Sequence, residues 1–96
     1  MITHTVFFKL RHAAGSVAES AFLERALSLS AIPGVIGLRC VRQTGRKNDY
    51  AWGLLMDFAD QRAYDAYNVD PRHTAFVQQH WVPEVEQFLE IDYVPR

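Results

Sequence analysis

The sequence predicts a small α+β fold in which helices cover one face of a four-stranded antiparallel sheet. Three observations lead to this prediction. Four segments carry apolar side chains with the spacing of strands, two helical regions with capping signals lie between them, and a polar turn joins the two middle strands. The order β, α, β, β, α, β is typical of the ferredoxin-like fold. The 96 residues fit a single domain spanning positions 1–96.

The first strand is predicted over Ile2–Leu10, where side chains alternate between two faces. One face carries Ile2, His4, Val6, Phe8 and Leu10, and the other carries Thr3, Thr5, Phe7 and Lys9. The stretch Ser16-Val17-Ala18-Glu19 matches a capping box, in which serine and glutamate satisfy free backbone N–H groups, so it predicts the start of a helix. Ile32-Pro33-Gly34 ends that helix.

The middle of the chain predicts a hairpin, with strands over positions 35–43 and 50–58 joined by a turn rich in glycine, asparagine and charge. Both faces of the second of these strands lack charge until its end, and a strand with two apolar faces is buried on both. The helices cover one face only. We therefore expect a homodimer in which a second copy packs sheet against sheet.

The last third of the chain predicts two helical segments and a strand. Asp60 caps a short helix that runs through Tyr67, and Asp70-Pro71 starts the next helical segment, because aspartate accepts from free N–H groups and proline suits the first helical position. Pro83 should bend or restart this segment. A final strand is predicted over positions 88–93.

This region also holds the residues that can carry acid/base chemistry. His73 falls in the first turn of its helix, where the partial positive charge of the N-terminus disfavours the imidazolium. Tyr67 lies six residues upstream, and the chain reversal brings its hydroxyl toward the same space. A neutral imidazole and a tyrosine hydroxyl beside an apolar cavity can exchange protons with a ligand. The alternative is a structural His73, with its ring N–H bonded to a backbone carbonyl or to Tyr67.

Further candidates for contact with a ligand come from apolar surfaces. His4 is either a satisfied core residue or a ligand contact on the cavity wall. Aromatic and imidazole side chains are candidates for substrate binding, with a core or dimer contact as the alternative; they are Phe8, Trp52, Phe76, His80 and Trp81. His73 and His80 lie about 10 Å apart along a helix and cannot easily share a metal ion. We expect no metal site and no cofactor.

Composition weighs against several other classes of protein. The formal net charge of −1 disfavours a nucleic-acid partner, although RNA-recognition domains share the predicted element order. The basic residues of the hairpin are interpreted as a solvated group; they are Arg39, Arg42, Arg46 and Lys47. The single cysteine, Cys40, cannot form an intrachain disulfide. No apolar run approaches the roughly 20 residues that span a bilayer, so a cytoplasmic protein is expected.

Several segments together resemble the stress-responsive dimeric α/β-barrel (Dabb) domain family over nearly the whole chain. They are Ile2–Leu10, the link Ile32-Pro33-Gly34-Val35, Asp57-Phe58 with the helix to Tyr67, Asp70-Pro71-Arg72-His73 and Asp92-Tyr93. The resemblance implies that two ferredoxin-like subunits close their sheets into a barrel with a central cavity. A plant member, olivetolic acid cyclase, performs an aldol cyclisation of a polyketide without cofactor or metal.

The resemblance also implies roles for three residues. His73 would be the general base that removes a proton α to a carbonyl, Tyr67 would hold or polarise the oxygen, and His4 would assist from the cavity wall. The functional prediction is a small homodimeric barrel protein, stress-associated by resemblance, that binds a small apolar or aromatic molecule in the barrel cavity. Two alternatives stay open, a cyclase-like aldol enzyme and a cofactor-free monooxygenase.

Overall fold

A computed structural model describes residues 1–96 as one antiparallel sheet with helices on a single face. The strands are β1 (Ile2–Leu10), β2 (Ile36–Arg42), β3 (Trp52–Phe58) and β4 (Val85–Tyr93). The helices are α1 (Val17–Leu27), followed by a 3₁₀ turn (Ser28–Ala31), α2 (Gln61–Val69), α3 (Pro71–Phe76), a π-helical turn (Val77–Trp81) and the short α4 (Val82–Glu84). This architecture confirms the predicted ferredoxin-like fold.

The strand order in the sheet is β2-β3-β1-β4. β1 pairs antiparallel with both β3 and β4, so β1 and β3 are central and β2 and β4 are edges. The helices cover one face of these central strands. Phe7 of β1 and Leu55 of β3 lie on the other face, which the helices do not cover.

The local signals place most helix starts correctly. The Ser16 hydroxyl accepts from the backbone N–H of Glu19 at 3.1 Å, and the Glu19 carboxylate accepts from the N–H of Gly15 at 3.0 Å. The side chain of Asp60 accepts from the N–H of Ala63 at 2.9 Å and so caps α2. Each contact satisfies a donor that the first turn of a helix leaves free.

Three strands have bounds that differ from the sequence prediction. β2 spans Ile36–Arg42 and not positions 35–43, so it is one residue shorter at each end. β4 begins at Val85 and not at position 88, because the chain passes from α4 into the strand without a loop and Val85 already pairs with Leu10 across a register shift. β3 begins at Trp52, since the N–H of Tyr50 is bonded to the Asn48 side chain within the turn. Pro83 lies in the first turn of α4, which begins at Val82 directly after the π-helical turn, so the predicted restart at Pro83 is confirmed to within one residue.

The core lies between the sheet and the helices. Its largest fully buried side chains are Tyr67, Phe8, Phe22, Phe58, Leu54 and Met56. Phe58 of β3 packs against Tyr67 of α2, with ring centroids 5.1 Å apart, and Phe22 of α1 packs against Phe8 of β1, with ring centroids 5.7 Å apart. Burial of aromatic and aliphatic side chains at about 25 cal/mol per Å² is the main source of stability for this layer. None of the helices is long and apolar enough to cross a membrane.

The opposite, outer face of the sheet carries an apolar row on β4. Leu89, Ile91 and Tyr93 are each about half exposed, and they pair in register with Phe7, Thr5 and Thr3 of β1. The Phe7 ring lies over Gly53 so closely that a Cβ at Gly53 would sit 2.3 Å from it. The Phe7 ring and the apolar row of β4 thus lie side by side on this face, as expected of a surface that packs against another sheet.

Candidate functional site

A cavity of about 310 Å³ lies between the helices and the sheet, within one chain. Its walls are mostly apolar, with a few polar groups; the lining residues are His4, Val6, Leu29, Leu54, Met56, Tyr67, His73, Phe76, Val77, Trp81, Val82, Phe88 and Glu90. It is thus on the helix side of the sheet, whereas the resemblance implied a cavity between two sheets.

His73 reaches the cavity from the first turn of α3. Asp70 fixes that turn, because its carboxylate accepts from the backbone N–H of Arg72 at 2.9 Å. The Nδ1 of His73 lies 3.1 Å from the carbonyl oxygen of Asn68. The carbonyl can only accept, so the proton is on Nδ1 and Nε2 keeps a free lone pair. Burial lowers the pKa of His73 and so favours the neutral ring. The hydrogen bond to Asn68 opposes part of this shift.

Tyr67 forms the wall beside His73. It is the seventh residue of α2, its side chain is only 2% exposed, and the ring centroids of Tyr67 and His73 are 4.4 Å apart. Its hydroxyl has no hydrogen-bond partner in the chain and is not fully enclosed, so it faces the cavity. Burial raises the pKa of Tyr67, with the Glu90 charge adding to the effect. The hydroxyl therefore stays protonated and can donate to a ligand.

His4 approaches from the middle of β1 and is 5% exposed. Its Nδ1 lies 2.5 Å from a carboxylate oxygen of Asp92, the residue paired with it on β4, and the Tyr64 hydroxyl donates to the other oxygen at 2.8 Å. The imidazole is thus oriented by a carboxylate that a tyrosine also holds. Its Nε2 points toward Glu90, 3.7 Å away.

The structure therefore brings His4, Tyr67 and His73 to one cavity, with ring centroids of His4 and Tyr67 6.5 Å apart. Their catalytic roles stay predictions. The sequence analysis missed Asp92 and Tyr64 as partners of His4, and Glu90 as a lining residue. The register of β1 against β4 is the signal that could have found Asp92, because the predicted topology makes these strands neighbours.

Two of the five further candidates line the cavity. Phe76 and Trp81, from α3 and the π-helical turn, form its apolar wall. Phe8 does not line it; its ring is fully buried beneath Trp81, with centroids 5.1 Å apart. The expectation of ligand contact for Phe8 thus gives way to the core alternative.

His80 and Trp52 also lie outside the cavity. His80 lies in the π-helical turn and faces Glu84, with its Nδ1 3.0 Å from the carboxylate. The indole N–H of Trp52 donates to Glu19 at 3.2 Å, near the other end of the sheet. No group of three or more histidine, cysteine, aspartate or glutamate side chains is arranged to hold a metal ion.

The polar groups of the cavity suit proton transfer. A neutral His73 presents a bare Nε2, and the adjacent Tyr67 presents an O–H. The first can take a proton from a ligand and the second can bond an oxygen on which negative charge develops. His4 is held by Asp92 in the way that a carboxylate orients a catalytic imidazole.

Comparison with known proteins shows which family the chain belongs to. The family model described as "Stress responsive A/B Barrel Domain" (Dabb) matches residues 2–95. No curated protein has a significantly similar sequence.

Solved structures share the fold. A Dabb family protein with a ferredoxin-like fold from Mesorhizobium loti is 55% identical, with a TM-score of 0.98, over 99% of this chain and 96% of that one. A hydroxynitrile lyase from Passiflora edulis is 13% identical, with a TM-score of 0.86, over 99% and 93%. A dimeric ferredoxin-like protein from Thermobifida fusca is 17% identical, with a TM-score of 0.79, over 98% and 90%. The family match over nearly the whole chain, together with the 55% identical structure, shows that this chain belongs to the stress-responsive A/B barrel domain family.

Proposed function

We propose that the protein is a homodimer and that each subunit binds a small apolar or aromatic molecule in its cavity. The observation that carries this proposal is the cavity itself. Its volume of about 310 Å³ lies at the lower end of ligand pockets, which are roughly 300–1,000 Å³, and its walls are apolar with a few polar groups. That combination suits a ligand with a ring or short alkyl body and one polar end. A stress-associated role rests on the family description alone.

The homodimer is supported by the outer face of the sheet. Leu89, Ile91 and Tyr93 lie half exposed in one row, and monomers rarely leave a continuous apolar surface of this kind in water. The Thermobifida fusca protein of the same fold is dimeric. Sheet-to-sheet packing would cover this row and leave the cavity of each subunit on the far side of its sheet.

The proposed binding can be tested with a substitution whose larger side chain fills the cavity. Val77 lines it, whereas Val69 is 76% exposed on α2. We expect a small aromatic such as indole to show saturable binding by NMR chemical shift, and Val77→Phe to weaken that binding at least tenfold. Val69→Phe is the matched control and should bind like the wild type. Equal binding by Val77→Phe and wild type, or no saturable binding of any small aromatic, would rule out this site.

A second candidate function is acid/base catalysis on a carbon acid, as in the cyclase-like alternative. It is favoured by the free Nε2 of His73 beside the hydroxyl of Tyr67. In this reaction the Nε2 takes a proton α to a carbonyl while the tyrosine O–H bonds the carbonyl oxygen, which becomes an enolate oxygen. The resulting carbon nucleophile can then attack a second carbonyl in an aldol step. The oxygenase alternative stays a prediction.

The proton-abstraction step can be tested alone, by hydrogen–deuterium exchange at the α-carbon of a ketone that undergoes no aldol step. We expect wild-type protein to accelerate deuterium uptake at the α-carbon of phenylacetone in D₂O, and His73→Gln to remove most of that acceleration, since general-base contributions are about 10²–10⁴-fold. Tyr67→Phe should lower the rate while leaving ligand binding in place. His12→Gln serves as control, because His12 bonds Glu84 away from the cavity. Rates equal to buffer for wild type would leave the binding function without catalysis.

A further inference from the structure

The cavity lining carries a negatively charged side chain but no lysine or arginine. Glu90 is the only charged residue in the lining, and no lysine or arginine contributes to it. The Glu90 side chain is 55% exposed, which places the carboxylate at the mouth and not in the deepest part. A ligand that carried a carboxylate or phosphate would find no cationic partner here and would meet Glu90 on entry.

The hydrogen-bonding groups that line the cavity favour the same kind of ligand. The free ring nitrogen of His73 is an acceptor, because its Nδ1 already donates to Asn68, and the Glu90 carboxylate accepts only. The Tyr67 hydroxyl can donate as well as accept, and the indole N–H of Trp81 can only donate. Glu90 and the free nitrogen of His73 give a ligand with N–H donors two acceptors, one of them negatively charged.

Aromatic rings complete the wall. Tyr67, Phe76, Trp81 and Phe88 all line the cavity, with ring centroids of Trp81 and Phe88 5.5 Å apart and those of Phe76 and Trp81 6.5 Å apart. The face of an aromatic ring carries partial negative charge and attracts ammonium groups, tryptophan most strongly. Aromatic rings beside one carboxylate form the kind of surroundings that hold an organic cation.

His4 is the group that could reverse this balance. Its Nε2 faces Glu90 at 3.7 Å and its Nδ1 faces Asp92 at 2.5 Å, and the Tyr64 hydroxyl bonds the same aspartate. Even with His4 protonated, one imidazolium stands beside two carboxylates, so the sum of the three charges is −1. The mouth of the cavity thus stays negative in both protonation states of His4.

We propose that the cavity selects small apolar organic cations of the arylalkylammonium class, with the ammonium between Glu90 and His73 and the ring against Phe76, Trp81 and Phe88. This proposal rests on the proposed binding function and adds the charge of the ligand to it. Burial lowers the pKa of His73, so this imidazole does not compete as a cation near neutral pH. The ammonium N–H groups satisfy the acceptors, and the hydrocarbon part fills the apolar volume.

The test compares three ligands of nearly equal shape with the full chain at pH 7.5. These are phenethylamine, 2-phenylethanol and 3-phenylpropanoate, which carry a positive, zero and negative charge. Isothermal titration should give phenethylamine a Kd at least about tenfold lower than that of the alcohol, with the carboxylate weakest. Glu90→Gln should bring the Kd of the amine to within about threefold of that of the alcohol.

Glu86→Gln is the matched control, since Glu86 lies on the same strand but pairs with Lys9 at 3.2 Å and does not line the cavity. It should keep the wild-type preference for the amine. Binding of the alcohol or the carboxylate as tightly as the amine, or a preference that survives Glu90→Gln, would overturn the cation proposal while leaving the binding function standing. If none of the three ligands and no neutral aromatic binds, both proposals fail.

Discussion

Burial of His73 favours its neutral form, and this determines the direction in which folding stability changes with pH. Its pKa is lowered in the folded chain, so the unfolded chain binds the proton more readily and acidification disfavours folding. The stabilising effect of the neutral ring is complete above the ordinary imidazole pKa of about 6.5 and is lost as the pH falls through the lower folded value.

This gives the first prediction at the scale of a residue. We expect an NMR titration of the His73 ring protons to have its midpoint below that of an unfolded histidine. We also expect urea denaturation to show that His73→Gln loses less stability than wild type between pH 7 and pH 5. A midpoint at or above about 6.5 would show that the ring is more hydrated than its contacts indicate.

The second prediction concerns Asp92, which accepts from both His4 and Tyr64. Asp92→Asn removes the charge and one acceptor, so one of these two buried groups loses its partner. Because leaving a buried donor unsatisfied costs about 1–3 kcal/mol and Asp92 itself is partly exposed, we expect a loss of about 1–2 kcal/mol in the free energy of unfolding. Asp49→Asn should change it far less, because Asp49 makes only an exposed pair with Lys9.

At the scale of elements, local signals in the sequence were sufficient where each element carries its own caps and periodicity. The bounds of β1 were predicted in full from alternation, and the starts of α1 and α2 from Ser16 and Asp60. The start of β4 at Val85 was missed because no turn residue separates it from the preceding helix. The π-helical turn was missed because such turns are rare and no side-chain cap marks the start of Val77–Trp81.

The candidate site divides in the same way. His73 and Tyr67 were predicted together because a short chain reversal joins them. The partners of His4 come from the other end of the chain, and the pairing of His4 with Asp92 appears only when β1 and β4 are in register. The size of the cavity and the position of Glu90 at its mouth follow from long-range packing and could not be predicted from spacing.

A third prediction belongs to the outer face of the central strands. Gly53 of β3 lies under the Phe7 ring, where an added Cβ would be 2.3 Å from a ring carbon. Gly53→Ala therefore forces the ring to move and disturbs the flat face, and overpacking of this kind costs about 1–3 kcal/mol. Thermal unfolding should show the loss. Gly45→Ala is the control, because Gly45 lies in the exposed turn and its Cβ would meet only the side-chain end of Gln43 and no aromatic ring.

At the scale of the whole molecule, the two faces of the sheet differ in what covers them. The helix side encloses the cavity, and the outer side carries the apolar row that we propose packs against a second copy. Ile91 is 54% exposed on that outer row and its backbone carbonyl is already bonded by the Thr5 hydroxyl, so a change of its side chain leaves the strand pairing intact. Ile91→Asp places a charge where a second sheet would pack, and an unpaired buried carboxylate opposes association strongly.

The fourth prediction follows from that separation. Sedimentation velocity should find wild-type protein as a dimer at micromolar concentration and Ile91→Asp as a monomer of 11.0 kDa, with Val69→Asp on α2 dimeric like the wild type. Because the cavity is built from one chain, monomeric Ile91→Asp should still bind one aromatic ligand per chain with a Kd within about threefold of the wild-type value. Loss of ligand binding together with the dimer would mean that the ligand instead lies between two sheets, and a monomeric wild type would mean that the outer face needs no partner.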